Sequence, residues 1–211
     1  MIFRLLENEI IFPDTALAEP DGLLAIGGDL SKERLLLAYQ SGIFPWFSEG
    51  DPICWFAPPE RCVIFPEHLK VSKSMKKILK DHVFSITTDT VFPKVIKHCA
   101  KVERKDQDGT WITAEMEKAY INLHQAGIAH SVEVWQNGLL VGGLYGIVVN
   151  KVFCGESMFS LVSNASKAAM VWLCQNGGYE LIDCQVPNPH LFSLGAEMIS
   201  RTQYLRLLQG L

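Results

Sequence analysis

Acidic and amide side chains cluster in the last third of the chain, on segments that are otherwise apolar. Asp183 and Gln185 belong to the run LIDCQ at 181–185, whose composition is typical of a strand. Successive side chains of a strand point to opposite faces, so this spacing predicts that Asp183 and Gln185 lie side by side on one face. A carboxylate and an amide in apolar surroundings need hydrogen-bond partners, because each unmatched group costs on the order of 1–3 kcal/mol. The pair therefore requires an internal network or a ligand.

A second carboxylate, Glu156, lies in the run CGESM at 154–158. Two interpretations are open for these acids: structural carboxylates that backbone donors satisfy, or the polar centre of a pocket. The apolar residues around them fit a hydrophobic core and the wall of a pocket for a large side chain equally well. Those neighbours are Phe153, Met158, Met170, Leu173 and Ile182.

Two tryptophans and a group of lysines are typical of a nucleic-acid site. Trp46 and Trp111 stand beside Pro or Gly in predicted loops, where an indole either anchors the loop or offers a surface for stacking a base. The lysines recur at helical spacing and form either a solvated helix face or a patch that binds phosphates. Together these features favour single-stranded nucleic acid, such as the end of an RNA. The lysines are Lys70, Lys73, Lys76, Lys77 and Lys80.

The overall composition narrows the class of protein. The chain has 211 residues, of which 48% are hydrophobic, and a formal net charge of −4, which argues against indiscriminate coating of nucleic acid. Glu7 and Glu9 interrupt the apolar stretch that a signal peptide would need, so we expect a cytoplasmic protein that does not enter a membrane. The histidines and the six cysteines lack metal-ligand spacing, and no nucleotide-binding glycine loop is present, so no cofactor is expected.

The pattern of turns and periodic segments predicts two regions. Residues 1–62 form a small, loop-rich N-terminal domain, in which Ser31 begins a helix. Residues 63–211 form a mixed α/β (α+β) domain in which strands alternate with helices. Asn137-Gly138 predicts a hairpin turn, and Asn164 is expected to cap a later helix. We interpret the glycines of GGLYG at 142–146 as packing or bulge positions rather than a phosphate loop.

Many segments along the chain carry a resemblance to one family. In order, they read PDGLLAIGGDLS, YQSGIFPWFS, GTWIT, HSVEVW, GGLYG, FCGESMFS, NASKAA, LIDCQV and SLGA. These segments cover nearly the whole chain, and they resemble those of the bacterial leucyl/phenylalanyl-tRNA–protein transferases. The resemblance implies a catalytic domain of acetyltransferase-like (GNAT) fold. It also implies a cytoplasmic enzyme that moves Leu or Phe, with Met a further candidate, from Leu-tRNA or Phe-tRNA to proteins with N-terminal Arg or Lys, marking them for N-end rule degradation. Nothing in the sequence itself demands more than a monomer.

The resemblance also implies roles for individual residues. Asp183 and Gln185 match the family's proposed catalytic pair, and Glu156 matches its active-site glutamate. Trp46 and Trp111 would hold the terminal adenosine of the tRNA, while Lys70, Lys73, Lys76, Lys77 and Lys80 would meet acceptor-stem phosphates. The pocket for the aminoacyl side chain would be lined by Leu144, Phe153, Met158, Met170, Leu173 and Ile182.

The chemistry of such a transfer makes modest demands on the enzyme. An aminoacyl ester is already activated, so alignment of the substrates and stabilisation of the oxyanion suffice without a cofactor. An α-amine has an ordinary pKa of about 7.7–8.0, so a useful fraction is neutral without a strong base. We therefore expect Gln185 to position the amine. Asp183 is expected to orient Gln185 and to offer negative charge to the incoming cationic N-terminus, and Glu156 to help position one or the other substrate.

Two alternatives belong to other classes of protein. An N-acyltransferase that uses coenzyme A would need a pyrophosphate loop, which the sequence lacks, and turnover of acetyl-CoA would reveal it. A non-catalytic RNA-binding module would account for the lysines and tryptophans but not for the acids at Asp183 and Glu156.

Overall fold

The computed structural model describes residues 2–102 and 111–211. Its N-terminal region contains a four-stranded sheet of order β1-β2-β4-β3. Between the second and third strands lies α1 (Lys32–Gln40), which the Ser31 side chain caps as predicted, by accepting a hydrogen bond from the Arg34 N–H at 3.4 Å. The four strands are β1 (Phe3–Leu5), β2 (Leu23–Gly27), β3 (Phe44–Pro45) and β4 (Cys54–Phe56).

A seven-stranded mixed sheet follows, with the order β11-β5-β10-β9-β8-β7-β6. Only the pair β10–β9 is parallel; the other neighbours in this sheet run antiparallel. This sheet and its helices confirm the prediction of a mixed α/β class. Its strands are β5 (Glu60–Ile64), β6 (Ser85–Thr88), β7 (Ala129–Gln136), β8 (Leu139–Val149), β9 (Val152–Ser160), β10 (Leu181–Gln185) and β11 (Glu197–Ser200).

Helices cover both faces of the large sheet, and two buried clusters of apolar side chains fill the layers between them. One cluster includes Phe92 and Tyr120 together with Leu24 and Tyr39 from the N-terminal region. The other includes Met75 and the buried side of the helix that follows β9. The helices are α2 (Lys73–Lys80), α3 (Phe92–Ala100), α4 (Ala114–Gln125), α5 (Ala165–Asn176), α6 (Pro189–Ser193) and α7 (Arg201–Gln209).

The predicted division between residues 62 and 63 falls inside β5. The first buried cluster joins side chains from both sides of that division, so the two regions share a core. The domain boundary at this point stays a prediction. Within the described parts of the chain, every helix is too short or too polar to cross a membrane.

Local turn chemistry confirms two predictions and corrects one. Asn137 and Gly138 both have positive φ and connect β7 to β8, as the hairpin prediction requires. A Cβ on Gly146 would lie 2.3 Å from the Cys154 carbonyl oxygen, beside a bulge in β8–β9, so close packing explains the GGLYG glycines. The predicted Asn164 cap is wrong: Asn164 is left-handed and makes no side-chain cap, and Ser160 Oγ instead accepts from the N–H of Ser166.

Candidate active site

The candidate site lies where β9 and β10 separate. Their parallel pairing ends at Asp183 and Cys154, and within two residues of that point each strand has an extra, unpaired residue. The extra residue is Glu156 in β9 and Cys184 in β10. Beyond this point a cavity of about 740 Å³ opens, and residues 155–160 and 184–188 form much of its wall.

Because of the bulge in β10, the side chains of Asp183 and Gln185 lie in different surroundings. Gln185 has a left-handed backbone, with φ of 61°, and its side chain lines the cavity. Asp183 is fully buried and is not among the described residues that line the cavity. The prediction that the two side chains lie side by side on one strand face is therefore wrong, because the extra residue interrupts the alternation on which it relied.

Asp183 belongs to a buried ion-pair network. Its two oxygens lie 3.1 and 3.2 Å from Nε of Arg61, and the Tyr204 hydroxyl donates to Oδ2 at 2.8 Å. Burial lowers the pKa of Arg61, but the Asp183 charge, together with Tyr204 and Cys154, raises it by more, so the net pKa is raised and the guanidinium stays charged. Asp183 also accepts the backbone N–H of Gln185 at 2.8 Å. The expectation that Asp183 offers its charge to an incoming cation is wrong, because Arg61 already neutralises that charge inside the core.

Glu156 is held by side-chain donors at the edge of the cavity. The Tyr120 hydroxyl donates to Oε2 at 2.9 Å, Gln185 Nε2 donates to Oε1 at 2.7 Å, and the Tyr39 and Tyr120 hydroxyls are hydrogen-bonded to each other. Burial, with a smaller effect of the nearby Asp183 charge, raises the pKa of Glu156, and hydrogen bonds from Tyr39, Tyr120 and Gln185 lower it; the net pKa is about 7. Glu156 therefore changes charge near neutral pH.

The contact with Glu156 fixes the direction of the Gln185 amide. Because Nε2 donates to the carboxylate, Oε1 is the atom left to accept a hydrogen bond from a ligand. No described residue donates to that oxygen, and the side chain is on the cavity wall. The geometry presents an amide acceptor to the cavity, which suits an N–H or O–H donor on a substrate.

The cavity brings together most of the apolar residues that were predicted to form a pocket. Those on its wall are Leu144, Phe153, Met158, Met170 and Ile182. Leu173 is only 2% exposed, lies in the second buried cluster, and is not among the described lining residues. Five of the six residues therefore lie on one cavity wall, and their contact with an aminoacyl side chain stays a prediction.

Trp46 and Trp111 line the same cavity. Trp46 is 37% exposed and contacts Phe56 with ring centroids 5.7 Å apart, whereas Trp111 is only 9% exposed. Both indoles are thus on the wall, although Trp111 is more buried than a loop tryptophan was expected to be. Gly109 and Thr110, which precede it in the GTWIT motif, lie outside the described residues.

The lysine group lies on and beside α2. Met75 is the buried residue of that helix, and all five lysines are exposed, as the helical spacing predicted. None of the described residues that line the cavity is a lysine or an arginine. The lysine group is thus a surface separate from the cavity wall, and its contact with phosphates stays a prediction. In the described ranges, no three His, Cys, Asp or Glu side chains gather as metal ligands.

Four residues of the network were not identified from the sequence. Arg61 directly precedes the apolar run CVIF, and a charge beside such a run could have indicated a buried partner. Tyr39, Tyr120 and Tyr204 gave no comparable signal, since Tyr39 and Tyr120 are 81 residues apart and meet only in the folded chain. His190 also lies on the cavity wall, where burial and the nearby charge of Lys167 lower its pKa.

Comparisons with known proteins agree over nearly the whole chain. The family model described as leucyl/phenylalanyl-tRNA protein transferase matches residues 63–209, and the model of that family's N-terminal domain matches residues 28–59. A leucyl/phenylalanyl-tRNA–protein transferase of Syntrophobacter fumaroxidans is 55% identical over 98% of this chain and 89% of its own length. One from Flavobacterium johnsoniae is 53% identical over 96% of this chain and 97% of its own.

Solved structures align less closely. A GCN5-related N-acetyltransferase from Kribbella flavida has 10% sequence identity and a TM-score of 0.38, covering 77% of this chain and 58% of its own. The strand order and pairing described above, rather than this alignment, define the fold of the chain.

Proposed function

The chain belongs to the leucyl/phenylalanyl-tRNA–protein transferase family, and from that membership we propose how its site performs the transfer. The reaction moves Leu or Phe, with Met as a further candidate, from aminoacyl-tRNA to the α-amine of proteins with N-terminal Arg or Lys, which marks them for N-end rule degradation. One observation carries the proposal: Glu156 holds the Gln185 amide so that its oxygen is presented to the cavity. The proposed enzyme acts as a monomer, since one chain supplies every side chain that the mechanism uses, and it acts in the cytoplasm, where aminoacyl-tRNA is found.

The aminoacyl-tRNA occupies the apolar part of the cavity. The walls formed by Phe153, Met158 and Met170 suit the side chain of Leu or Phe, and a volume of about 740 Å³ accommodates an aminoacyl group together with a nucleoside. Trp46 and Trp111 stack against the terminal adenosine, because an indole offers any base a π-face. The lysines of α2 contact phosphates of the acceptor stem, outside the cavity.

The acceptor amine binds at Gln185. The neutral amine donates a hydrogen bond to Oε1, which points its lone pair toward the ester carbonyl carbon. The C–N bond forms, the ester C–O bond breaks, and the proton that leaves the nitrogen ends on the departing 3′-oxygen. An amide is a poor base, so Gln185 positions the amine and does not remove its proton.

Glu156 and Asp183 act on Gln185 from two sides. Ionised Glu156 accepts from Nε2, and this charge-assisted hydrogen bond stabilises the productive orientation of the amide. Asp183 accepts the backbone N–H of Gln185 and thereby supports the left-handed turn that aims the side chain into the cavity. Asp183 is a positioning residue in this proposal, since its own charge is paired with Arg61.

The proposal is tested by incubating the purified chain with Phe-tRNA labelled in the amino acid and a peptide that begins with Arg. We expect the label to appear on the peptide without ATP or coenzyme A, and not on the same peptide with an acetylated α-amine. Binding of Phe-tRNA without transfer would instead indicate an RNA-binding module, and turnover of acetyl-CoA would indicate an N-acyltransferase.

A further inference from the structure

The separation of β9 from β10 leaves part of β9 with a strand on one side only. Beyond Cys154 no described strand pairs with the side of β9 that faces β10, while pairing with β8 continues as far as Ser160. The whole stretch 155–160 lines the cavity. A sheet edge therefore runs along the cavity wall, directly after Glu156.

The hydrogen-bond register shows which backbone groups this edge presents. The N–H of Leu161 donates to the Val141 carbonyl at 2.8 Å, and antiparallel ladders alternate between bonded and non-bonded pairs. Phe159 therefore bonds to β8, whereas Met158 and Ser160 direct their N–H and C=O groups to the opposite side. Neither of these two residues has a described backbone partner on that side, so two backbone N–H groups and two backbone C=O groups face the cavity.

We propose that the acceptor polypeptide binds as an extended strand along this edge of β9, with its α-amine at Gln185 and its chain running from Glu156 toward Ser160. The inference rests on the transferase function proposed above and identifies how its second substrate is held. The peptide would run parallel to β9 and take the place that β10 leaves. Main-chain recognition of this kind places no demand on side chains beyond the first residues, which suits an enzyme that accepts many proteins.

The chemistry of the wall favours a peptide over the tRNA at this edge. Alternating N–H and C=O groups match the repeat of a polypeptide, whereas a phosphodiester backbone needs cations. The described lining residues include no lysine or arginine, and their only carboxylate is that of Glu156. The exposed lysines that could meet phosphates lie on and beside α2 instead.

The test is an N-methyl scan of an acceptor peptide that begins with Arg, with one methyl group at a time on the backbone nitrogens of residues 2 to 5. In a strand, neighbouring N–H groups point in opposite directions, so we expect a period of two. Methylation at alternate positions should raise KM for the peptide roughly three- to tenfold or more, while the positions between them stay near the unmethylated value. Ester replacements, which remove the N–H without adding bulk, should show the same alternation.

Uniform tolerance, or equal losses at adjacent positions, would overturn the strand proposal. Failure of the unmethylated peptide to accept Phe would contradict the transferase function itself, so the two failures are distinguishable. A matched pair of variants adds a second measurement: S160A and S160P both lose the hydroxyl, but only S160P loses the backbone N–H. We expect KM for the peptide to be higher in S160P than in S160A, while KM for Phe-tRNA is equal in the two variants. Equal KM values for the peptide in S160A and S160P would contradict the proposal.

Discussion

Glu156 and Asp183 are both buried carboxylates, yet their surroundings give them different roles. Asp183 faces a guanidinium and is neutralised in the core, whereas Glu156 faces hydroxyl and amide donors and has no described cation as a partner. Burial without a countercharge disfavours the ionised form of Glu156. The residue that touches the cavity is therefore the one whose charge changes near neutral pH.

The raised pKa of Glu156 makes folding stability depend on pH. The unfolded carboxyl has a pKa of 4.5 and the folded one about 7, so the folded state binds more protons between these values. The contribution of Glu156 to the free energy of unfolding, roughly 3 kcal/mol, is fully present below pH 4.5 and is lost as pH rises through about 7. We expect urea unfolding to show that the free energy of unfolding of wild type falls relative to that of E156Q as pH rises through that window. A stability difference that stays constant from pH 4 to 8 would contradict the assignment.

Asp183 is expected to act chiefly on folding. Changing Asp183 to Asn leaves the Arg61 charge buried and unpaired, which should lower the free energy of unfolding by about 3–5 kcal/mol. Urea unfolding checks this, with D51N at an exposed aspartate as a control that should stay within about 0.5 kcal/mol of wild type. A D183N variant as stable as D51N would show that the ion pair does not hold the site together.

At the scale of elements, the site depends on two irregularities in otherwise regular strands. Local signals predicted individual elements: Ser31 begins a helix, and Asn137-Gly138 connects two strands. The extra residue at Cys184 could not be predicted, because the run LIDCQ fits a regular strand equally well and the bulge is defined by pairing with β5. The same bulge determines which polar side chain reaches the cavity. A correct prediction of the strand was therefore not enough to predict the directions of the Asp183 and Gln185 side chains.

The lysines of α2 provide a prediction for that helix. If Lys76 and Lys80 contact tRNA phosphates, changing both to Gln should weaken binding of Phe-tRNA and reduce the slope of log Kd against log salt by roughly 0.7–0.9 per lost contact. Changing Lys94 and Lys97, two exposed lysines of α3, to Gln removes the same charge from another surface. Equal slopes for the two double variants would contradict a specific role for α2.

At the scale of the whole molecule, the N-terminal region and the large sheet cooperate in the site. Tyr39 of α1 contacts Tyr120 of α4, which donates to Glu156, and Trp46 lies just after β3 on the cavity wall. Sequence resemblance identified the family and several cavity residues, because motifs record residue types along the chain. Contacts between distant segments, such as those of Tyr39 and Arg61, arise from tertiary packing, and no local pattern revealed them.

The most direct measurement of the central claim is single-turnover transfer of Phe by wild type and Q185A, with Phe-tRNA and an Arg peptide both saturating. If the Gln185 oxygen positions the amine, the rate should fall by roughly ten- to a hundredfold, while Kd for Phe-tRNA and the free energy of unfolding stay near wild type. An unchanged single-turnover rate in Q185A would contradict the account.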